Sequence, residues 1–242
     1  MDDRKVLLLT GASRGIGHAT VKRFDREGWR ILTCSRQAFD PRCPWMGAEN
    51  HIQIDLSDPA ATAAALEDIR GRLDGRLDAL VNNAGISPKG AGGARLNSIE
   101  TAHSTWTTVF NVNFFAPIWL AGGLKDELSA AKGAVVNVTS IAGSRVHPFA
   151  GAAYATSKAA LKALTREMAH DFGPLGVRVN AIAPGEIDTS ILSPGTEKLA
   201  AALPLRRLGE PEEVAEVIWF LCTAASSYVS GTEIEVNGGQ HV

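Results

Sequence analysis

The sequence predicts an α/β fold in which helices cover both faces of a parallel sheet. Strand-like and helix-like patterns alternate from one end of the chain to the other, which is typical of that architecture. The chain has 242 residues, of which 45% are hydrophobic and 21% are charged, as in a globular protein. This length suits one large domain or two small ones.

Composition and charge exclude several classes of protein. The net charge of −2 gives no basic surface for nucleic acid or an anionic membrane. No apolar run approaches the roughly 20 residues of a membrane span, and no signal peptide is recognisable at the N-terminus. The three cysteines, Cys34, Cys43 and Cys222, are too widely spaced for a zinc site or a disulfide framework. We therefore expect a cytoplasmic protein that binds no metal, membrane or nucleic acid.

The stretch 10–17, with the pattern G-x-x-x-G-x-G, predicts a phosphate-binding turn. The apolar run 6–9 before it is typical of a buried strand, and a helical pattern follows it. At such a turn the first N–H groups of the helix are unpaired and attract a phosphate, which glycines allow to approach closely. Taken alone, the pattern fits an ordinary glycine-rich turn equally well.

The second predicted strand, 29–34, ends in Ser35 and Arg36. Dinucleotide-binding folds place an acid here for the ribose 2′-hydroxyl, or an arginine for a 2′-phosphate. No acid occupies positions 33–37, and Arg36 together with Arg14 of the glycine turn predicts a positive pocket for a phosphate. The plainer alternative is two solvated arginines on the surface.

A loop is predicted over 37–50, followed by a short third strand over 52–54. Either Ser57 or Asp58 can cap the next helix, which runs to about residue 73.

A fourth strand over 77–81 is closed by the small and amide residues 82–85, which suit a ligand crevice as well as an ordinary turn. The glycine-containing loop 86–100 forms either a pocket wall or a flexible excursion, and the sequence does not choose between them.

A long helical pattern runs from residue 101 to about 128. It carries Asn111 and Asn113, and asparagine is a poor helix former because its side chain competes for backbone hydrogen bonds. A buried asparagine here is a candidate functional residue, although a surface position is the plainer explanation. Pro117 suggests a kink or a local break.

The fifth strand, 133–139, delivers Ser140 at its carboxyl end, and a helix opening at Tyr154 runs to about residue 172. Tyr154 and Lys158 are four residues apart and share one helix face. An ammonium beside a phenol favours the phenolate and lowers its pKa, which would suit acid–base catalysis near neutral pH. The spacing alone is common and carries little weight.

The last third of the chain continues the alternation. A sixth strand is predicted over 177–183, a turn over 184–189, a helix over 211–223 and a final strand over 232–236. The irregular segment of about 186–208 is interpreted as a substrate lid.

Taken together, these motifs resemble the short-chain dehydrogenase/reductase family over essentially the whole chain. Within that family they most resemble the 3-oxoacyl-carrier-protein reductases and the sugar or polyol dehydrogenases. The shared motifs, in chain order, are Thr10-Gly11-x-x-x-Gly15-Ile16-Gly17, Asn82-Asn83-Ala84-Gly85, Asn113, Ser140, Tyr154-x-x-x-Lys158, and Pro184-Gly185 with Thr189. Each motif is weak singly, whereas the set in this order is specific. The resemblance implies a Rossmann-type, doubly wound sheet of seven parallel strands in one catalytic domain over residues 1–242.

The resemblance also implies a catalytic set. Tyr154 would exchange a proton with the substrate oxygen, and Ser140 would hold that oxygen by a hydrogen bond. Lys158 would lower the pKa of Tyr154 and bind the nicotinamide ribose. Asn113 would hold a water molecule that links Lys158 to solvent.

The cofactor implied is NADP(H) rather than NAD(H), because of Arg14 and Arg36. The residues expected to contact it are Gly11, Ser13, Arg14, Gly15, Ile16, Gly17, Ser35, Arg36, Asp55, Leu56, Asn82, Ala84, Gly85, Tyr154, Lys158, Pro184, Gly185, Ile187 and Thr189.

The expected substrate is a small carbonyl compound or alcohol, and the expected assembly is a homotetramer or a dimer. Two alternatives stay open: a reductase specific for 3-oxoacyl thioesters, and a dinucleotide-binding sensor without catalysis. The loop between Ser140 and Tyr154 is long for the family, so Arg145, His147 and Phe149 within it either contact substrate or only pack and face solvent.

Overall fold

The computed structural model describes residues 3–40, 47–189 and 195–242. In this part of the chain seven strands form one sheet in the order β3-β2-β1-β4-β5-β6-β7, and every neighbouring pair is parallel. The strands are β1 Val6–Thr10, β2 Arg30–Ser35, β3 His51–Gln53, β4 Ala79–Asn82, β5 Ala134–Val138, β6 Arg178–Pro184 and β7 Glu233–Val236. The helices are α1 Gly15–Asp25, α2 Pro59–Leu73, α3 His103–Phe110, α4 Ala116–Gly123, α5 Lys125–Ala131, α6 Ala152–Phe172, α7 Glu197–Ala200 and α8 Pro211–Cys222.

The predicted fold class is confirmed: the sheet is doubly wound, parallel and seven-stranded. The chain starts in the middle of the sheet, where Leu7 of β1 pairs with Ile31 of β2 on one side and with Ala79 of β4 on the other. The order of the strands therefore reverses at β1, and parallel strands place their carboxyl ends on one edge. Such a switch point is where open α/β sheets bind ligands.

The apolar core forms two layers, one on each face of the sheet. Leu7 and Leu9 pack with Phe24 of α1 and Ile218 of α8. Leu8, between them in sequence, faces the opposite layer, because side chains alternate along a strand. That opposite layer contains side chains of α2, α4, α5 and α6. Burying each large side chain contributes about 1.5–3 kcal/mol to the free energy of folding. The two layers therefore fix the sheet, and with it the edge at which the carboxyl ends of the strands lie.

The helical pattern expected from residue 101 to about 128 is helical but interrupted, and the local break suggested at Pro117 is present. The segment divides into α3, a π-helical turn Asn111–Phe115, α4 and α5. In the π-helical turn the N–H of Ala116 donates to the carbonyl of Asn111, five residues earlier. Pro117 lies in the first turn of α4, where its missing N–H is tolerated, so the break falls just before the proline.

Two predicted segments lie partly outside the described residues: 41–46 of the loop 37–50, and 190–194 of the lid. In the described part of the lid, α7 is a short helix, and Ile187 forms an isolated parallel bridge with Gly209, which follows the lid. The loop 86–100 contributes Ser87 and Lys89 to a pocket wall, which resolves the alternative left open by the sequence. None of the described helices is both long and apolar enough to cross a membrane.

Candidate active site

The turn between β1 and α1 depends on glycine at three positions. Gly11 and Gly15 have φ angles of 72° and 55°, a region that favours glycine. A Cβ added to Gly17 would lie 2.2 Å from the carbonyl oxygen of Gly11, so the helix and the turn touch through their backbones. No side chain caps the start of α1, and its first N–H groups are therefore available to an anion.

The end of β4 is fastened to this turn by Thr10 and Asn83. The hydroxyl of Thr10 accepts hydrogen bonds from the N–H groups of Asn83 and Ala84, at 3.1 and 3.0 Å. The amide of Asn83 in turn donates to the carbonyls of Thr10 and Gly11, at 3.0 and 2.9 Å. Two neighbouring strand ends are thereby held as one rigid edge of the cleft.

A cleft of about 290 Å³ runs along the carboxyl ends of the strands. Most of the predicted cofactor contacts line it, namely Gly11, Ser13, Arg14, Gly15, Ile16, Ser35, Arg36, Asp55, Leu56, Ala84, Gly85, Tyr154, Lys158, Pro184, Gly185, Ile187 and Thr189.

Two of the predicted cofactor residues have other positions. Gly17 packs against the backbone of the turn, behind the cleft. Asn82 is buried, and its amide donates to Asn137 at 2.9 Å, while Asn137 donates to Thr165 of α6 at 3.0 Å. Asn82 therefore joins β4 to β5 and α6 instead of lining the cleft.

Sequence reasoning missed several lining residues. They are Cys34, Gln37, Ile54, Asn83, Ile86, Val112, Val138 and Thr139. Most of them are next to a predicted contact in the sequence. Their position near the end of a strand could therefore have identified them, whereas their side-chain chemistry could not. Burial raises the pKa of the Cys34 thiol to about 12, which makes it unreactive at neutral pH.

At one end of the cleft, Asp55 closes β3 and lies near Arg36. Its carboxylate accepts from the backbone N–H and the hydroxyl of Ser57, at 2.9 and 2.8 Å. These hydrogen bonds lower the pKa of Asp55, and the charge of Arg36 adds to the effect. Arg36 and Arg14 are both exposed, with their charges at the rim of the cleft.

At the other end, Ser140 follows β5, and Tyr154 and Lys158 lie one turn apart on α6. Lys158 is buried, and its ammonium donates to the carbonyl of Val138 at 2.6 Å. The Lys158 nitrogen is 5.8 Å from the centroid of the Tyr154 ring. The hydroxyl of Ser140 accepts from the N–H of Ala142 at 3.2 Å and also hydrogen-bonds Tyr154.

The pKa of Tyr154 is shifted in the direction opposite to the expectation that Lys158 lowers it. Burial raises the pKa of Tyr154 above its ordinary value, the hydrogen bond with Ser140 partly opposes this, and the charge of Glu186 raises it further. Burial also lowers the pKa of Lys158 to about 8. Since a phenol with a raised pKa stays protonated near neutral pH, Tyr154 in this state can donate a proton.

Asn113 lies in the π-helical turn and is completely buried. Its amide oxygen accepts from the N–H of Ile86 at 2.9 Å, and its amide nitrogen donates to the Ile86 carbonyl and the Ser157 hydroxyl, each at 3.1 Å. A Cβ added to Gly85 would lie 3.4 Å from the Lys158 nitrogen and 3.6 Å from the Asn113 oxygen. Asn113 thus fixes the wall beside Lys158.

A second, smaller pocket of about 90 Å³, here named the side pocket, adjoins Tyr154 and Ser140. Its other lining residues are Ser87, Lys89, Ile141, Ala142, His147, Phe149, Ala150, Gly185, Glu186 and Thr196. His147 is buried and donates from Nε2 to the carboxylate of Glu186 at 2.5 Å. In the loop after Ser140, His147 and Phe149 thus line this pocket, whereas Arg145 is exposed and donates to the carbonyl of Gln240 at 2.6 Å; contact with substrate stays a prediction.

The charge of Glu186 is stabilised within this pocket. Burial alone would raise its pKa, but hydrogen bonds from His147 and Gln240 and the nearby charge of Lys89 bring the pKa of Glu186 below its ordinary value. Within 3–40, 47–189 and 195–242, no group of three or more His, Cys, Asp or Glu side chains is arranged to hold a metal ion.

Comparison with known proteins gives a consistent result. The sequence model of a family described as enoyl-(acyl carrier protein) reductase matches residues 11–241. Protein FixR of Bradyrhizobium diazoefficiens is 61% identical, over 98% of this chain and 87% of that protein. The 3-oxoacyl-[acyl-carrier-protein] reductase FabG of Aquifex aeolicus is 32% identical, over 97% of this chain and 96% of FabG.

Among solved structures, a short-chain dehydrogenase/reductase family oxidoreductase from Brucella ovis, in complex with a partially ordered NAD, is 63% identical. It superposes with a TM-score of 0.86, covering 97% of this chain and 100% of that one. The sheet, the glycine turn and the Ser140, Tyr154 and Lys158 group occur here in one cleft. The chain therefore belongs to the short-chain dehydrogenase/reductase family, whose members are oxidoreductases that bind a nicotinamide dinucleotide.

Proposed function

We propose that this protein is an NADP(H)-dependent oxidoreductase that transfers a hydride between nicotinamide and a carbonyl compound or secondary alcohol, with Tyr154 as acid and base. One observation carries the proposal: Ser140, Tyr154 and Gly185 line both the long cleft and the side pocket. A cofactor in the cleft and a substrate in the pocket would therefore meet at the two hydroxyl groups.

The residues of the cleft fit such a cofactor. Gly11 and Gly15, which line the cleft, and the uncapped start of α1 would hold the diphosphate, because bare backbone lets a phosphate approach the N–H groups closely. The residues at 184–189 would hold the nicotinamide end, and Asp55 and Leu56 the adenine end. The bound cofactor would supply or accept the hydride.

The protein's own contribution is to position the substrate and manage a proton. Ser140 would hold the substrate oxygen by a hydrogen bond, and Tyr154 would give it a proton in reduction or remove one in oxidation. Lys158, with its pKa lowered to about 8 by burial, would bind the ribose hydroxyls and exchange protons near neutral pH. We keep for Asn113 the role of holding a water molecule beside Lys158.

The preference for NADP(H) over NAD(H) is supported by the two arginines at the rim of the cleft and by the absence of an acid at positions 33–37. The NAD in the Brucella ovis structure favours NAD(H) as the alternative.

Changing Arg36 to Ala tests this preference. We expect the dissociation constant of NADPH to rise roughly tenfold or more, the value of a charge-assisted hydrogen bond, and that of NADH to change little. Fluorescence titration measures both constants. Arg26→Ala is the matched control. Arg26 is also exposed, but it caps the C-terminal end of α1, whereas the glycine turn is at the N-terminal end. Equal affinities of wild-type protein for NADPH and NADH would reject the phosphate pocket.

Turnover is tested by following NADPH absorbance with acetoacetyl thioesters, keto-sugars, cyclic ketones and polyols. The likeness to FabG favours, as a second candidate, a reductase specific for 3-oxoacyl thioesters. A protein that binds the cofactor yet turns over none of these compounds would instead be a dinucleotide-binding sensor.

We further propose a cytoplasmic homotetramer, with a dimer as the alternative. The support is an aromatic row along α3 and α4, in which Phe115 stacks on Trp119 and remains 39% exposed. An apolar ring pair at the surface suits an interface between copies of the chain. Light scattering after size exclusion measures the number of subunits.

A further inference from the structure

The side pocket contains a paired set of opposite charges beside the reacting hydroxyls. Among its described lining residues, Lys89 is the cation and Glu186 the anion. Burial lowers the pKa of Lys89 and the nearby charge of Glu186 opposes this in part, while the charge of Lys89 is one of the causes that lower the pKa of Glu186. The formal charges of the two therefore cancel within the pocket.

His147 positions the carboxylate of Glu186. Its Nδ1 accepts from the N–H groups of Phe149 and Ala150, at 3.2 and 3.3 Å, which fixes the orientation of the ring. Its Nε2–H donates to Glu186. The ring therefore holds the carboxylate of Glu186 in a fixed orientation. Gln240 assists from the other side, donating to the same carboxylate oxygen at 3.2 Å.

Lys89 retains capacity to bind a ligand. Its ammonium donates to the carbonyl of Phe149 at 2.5 Å. An ammonium has three N–H donors, so a single carbonyl leaves it able to donate to an oxygen of a bound molecule as well. Lys89 and Glu186 thus offer a donor and an acceptor within one pocket, which Tyr154 also lines.

We propose that the side pocket recognises a neutral, polyhydroxylated substrate, with Lys89 donating to one substrate oxygen and Glu186 accepting from a neighbouring hydroxyl. A hydroxyl both donates and accepts, so adjacent hydroxyl groups satisfy the pair without changing its charge. This inference rests on the proposed function and adds the substrate class to it.

Other substrate classes fit the pocket less well for physical reasons. A substrate carboxylate would leave the balanced pair with an excess negative charge in a partly buried site, which is costly. An apolar acyl chain would displace water from Lys89 and Glu186 without replacing its hydrogen bonds. Both costs are avoided by a substrate with hydroxyl groups next to the reacting carbon.

A ring-matched series of alcohols tests the inference, each oxidised with NADP or, if preferred, NAD. The probes are cyclohexanol, cyclohexane-1,2-diol, myo-inositol and 3-hydroxycyclohexanecarboxylate. We expect kcat/KM to rise roughly tenfold or more from cyclohexanol to the hydroxylated rings, as expected for hydrogen bonds to charged groups. In Lys89→Met and Glu186→Gln the ratio of the hydroxylated rings to cyclohexanol should fall towards one.

Lys125→Met is the matched control and should keep the wild-type ratio, because Lys125 is an exposed lysine of α5 that forms an ion pair with its neighbour Asp126 and lines neither the cleft nor the side pocket. Cofactor affinity and thermal melting of each variant establish that it is folded. The inference is overturned if cyclohexanol, the carboxylate or an acetoacetyl thioester is the best substrate, or if Lys89→Met keeps the ratio; each of these outcomes leaves the proposed oxidoreductase intact. Absence of turnover with every probe, with the cofactor bound, would instead reject the proposed function itself.

Discussion

Replacing Tyr154 by Phe is expected to lower kcat about a thousandfold, within the range that general acid–base catalysis contributes. The change removes the hydroxyl shared by the cleft and the side pocket and keeps the ring that packs beside Lys158. The dissociation constant of the cofactor should change little, because the proposed diphosphate site is at the glycine turn. Steady-state kinetics and fluorescence titration on the same preparation measure the two quantities.

The chain supplies its own control for this experiment. Its other tyrosine, Tyr228, is fully exposed, and Tyr228→Phe should retain wild-type kcat. If Tyr154→Phe also retained it, the proton would have to come from another group, and the assignment of Tyr154 would be abandoned.

Replacing Gly17 by Ala is expected to have the largest effect outside the reacting groups. The new Cβ would meet the Gly11 carbonyl oxygen at 2.2 Å and the Asn83 amide at 2.6 Å, and both belong to the rigid edge of the cleft. Forced displacement should destabilise the fold by about 1–3 kcal/mol, as overpacking does. It should also weaken cofactor binding more than tenfold, because Gly11 lines the cleft. Urea denaturation and titration with the cofactor measure these effects.

Gly71→Ala is the matched control, since Gly71 is also a helical glycine but has open space at the Cβ position. That substitution should raise the stability by up to about 1 kcal/mol, the difference in helix propensity, and leave the affinity for the cofactor unchanged. Equal effects of the two substitutions would mean that the close contact at Gly17 has no special role.

The sequence predicted the sheet well because its strands are short apolar runs bounded by turn residues. Strand five was expected over 133–139 and spans Ala134–Val138. Asp58, one of two predicted caps, accepts from the N–H groups of Ala60 and Ala61 at the start of α2. Both features depend on neighbouring residues, which a single sequence displays directly.

The features that were missed depend on contacts between distant segments. The π-helical turn at 111–115 places Asn113 against the backbone of Ile86, 27 residues earlier, and helical periodicity does not encode such a contact. The charged character of the side pocket was also missed, because Lys89 and Glu186 are 97 positions apart in the sequence. The pKa of Tyr154 was expected to fall on the basis of spacing to Lys158, whereas burial, which the spacing does not reveal, raises it.

The central position of β1 has a consequence for biosynthesis. Its partner strands begin to pair with it at Arg30 on one side and at Ala79 on the other. Neither partner follows β1 in a hairpin, so the backbone groups of β1 cannot all be paired until Ala79 has been synthesised. A ribosome that adds about 5–20 residues per second delivers Ala79 roughly 4–15 s after Val6. During that interval an apolar strand with unpaired backbone groups is exposed, and it is the segment of the nascent chain on which we expect a chaperone to act.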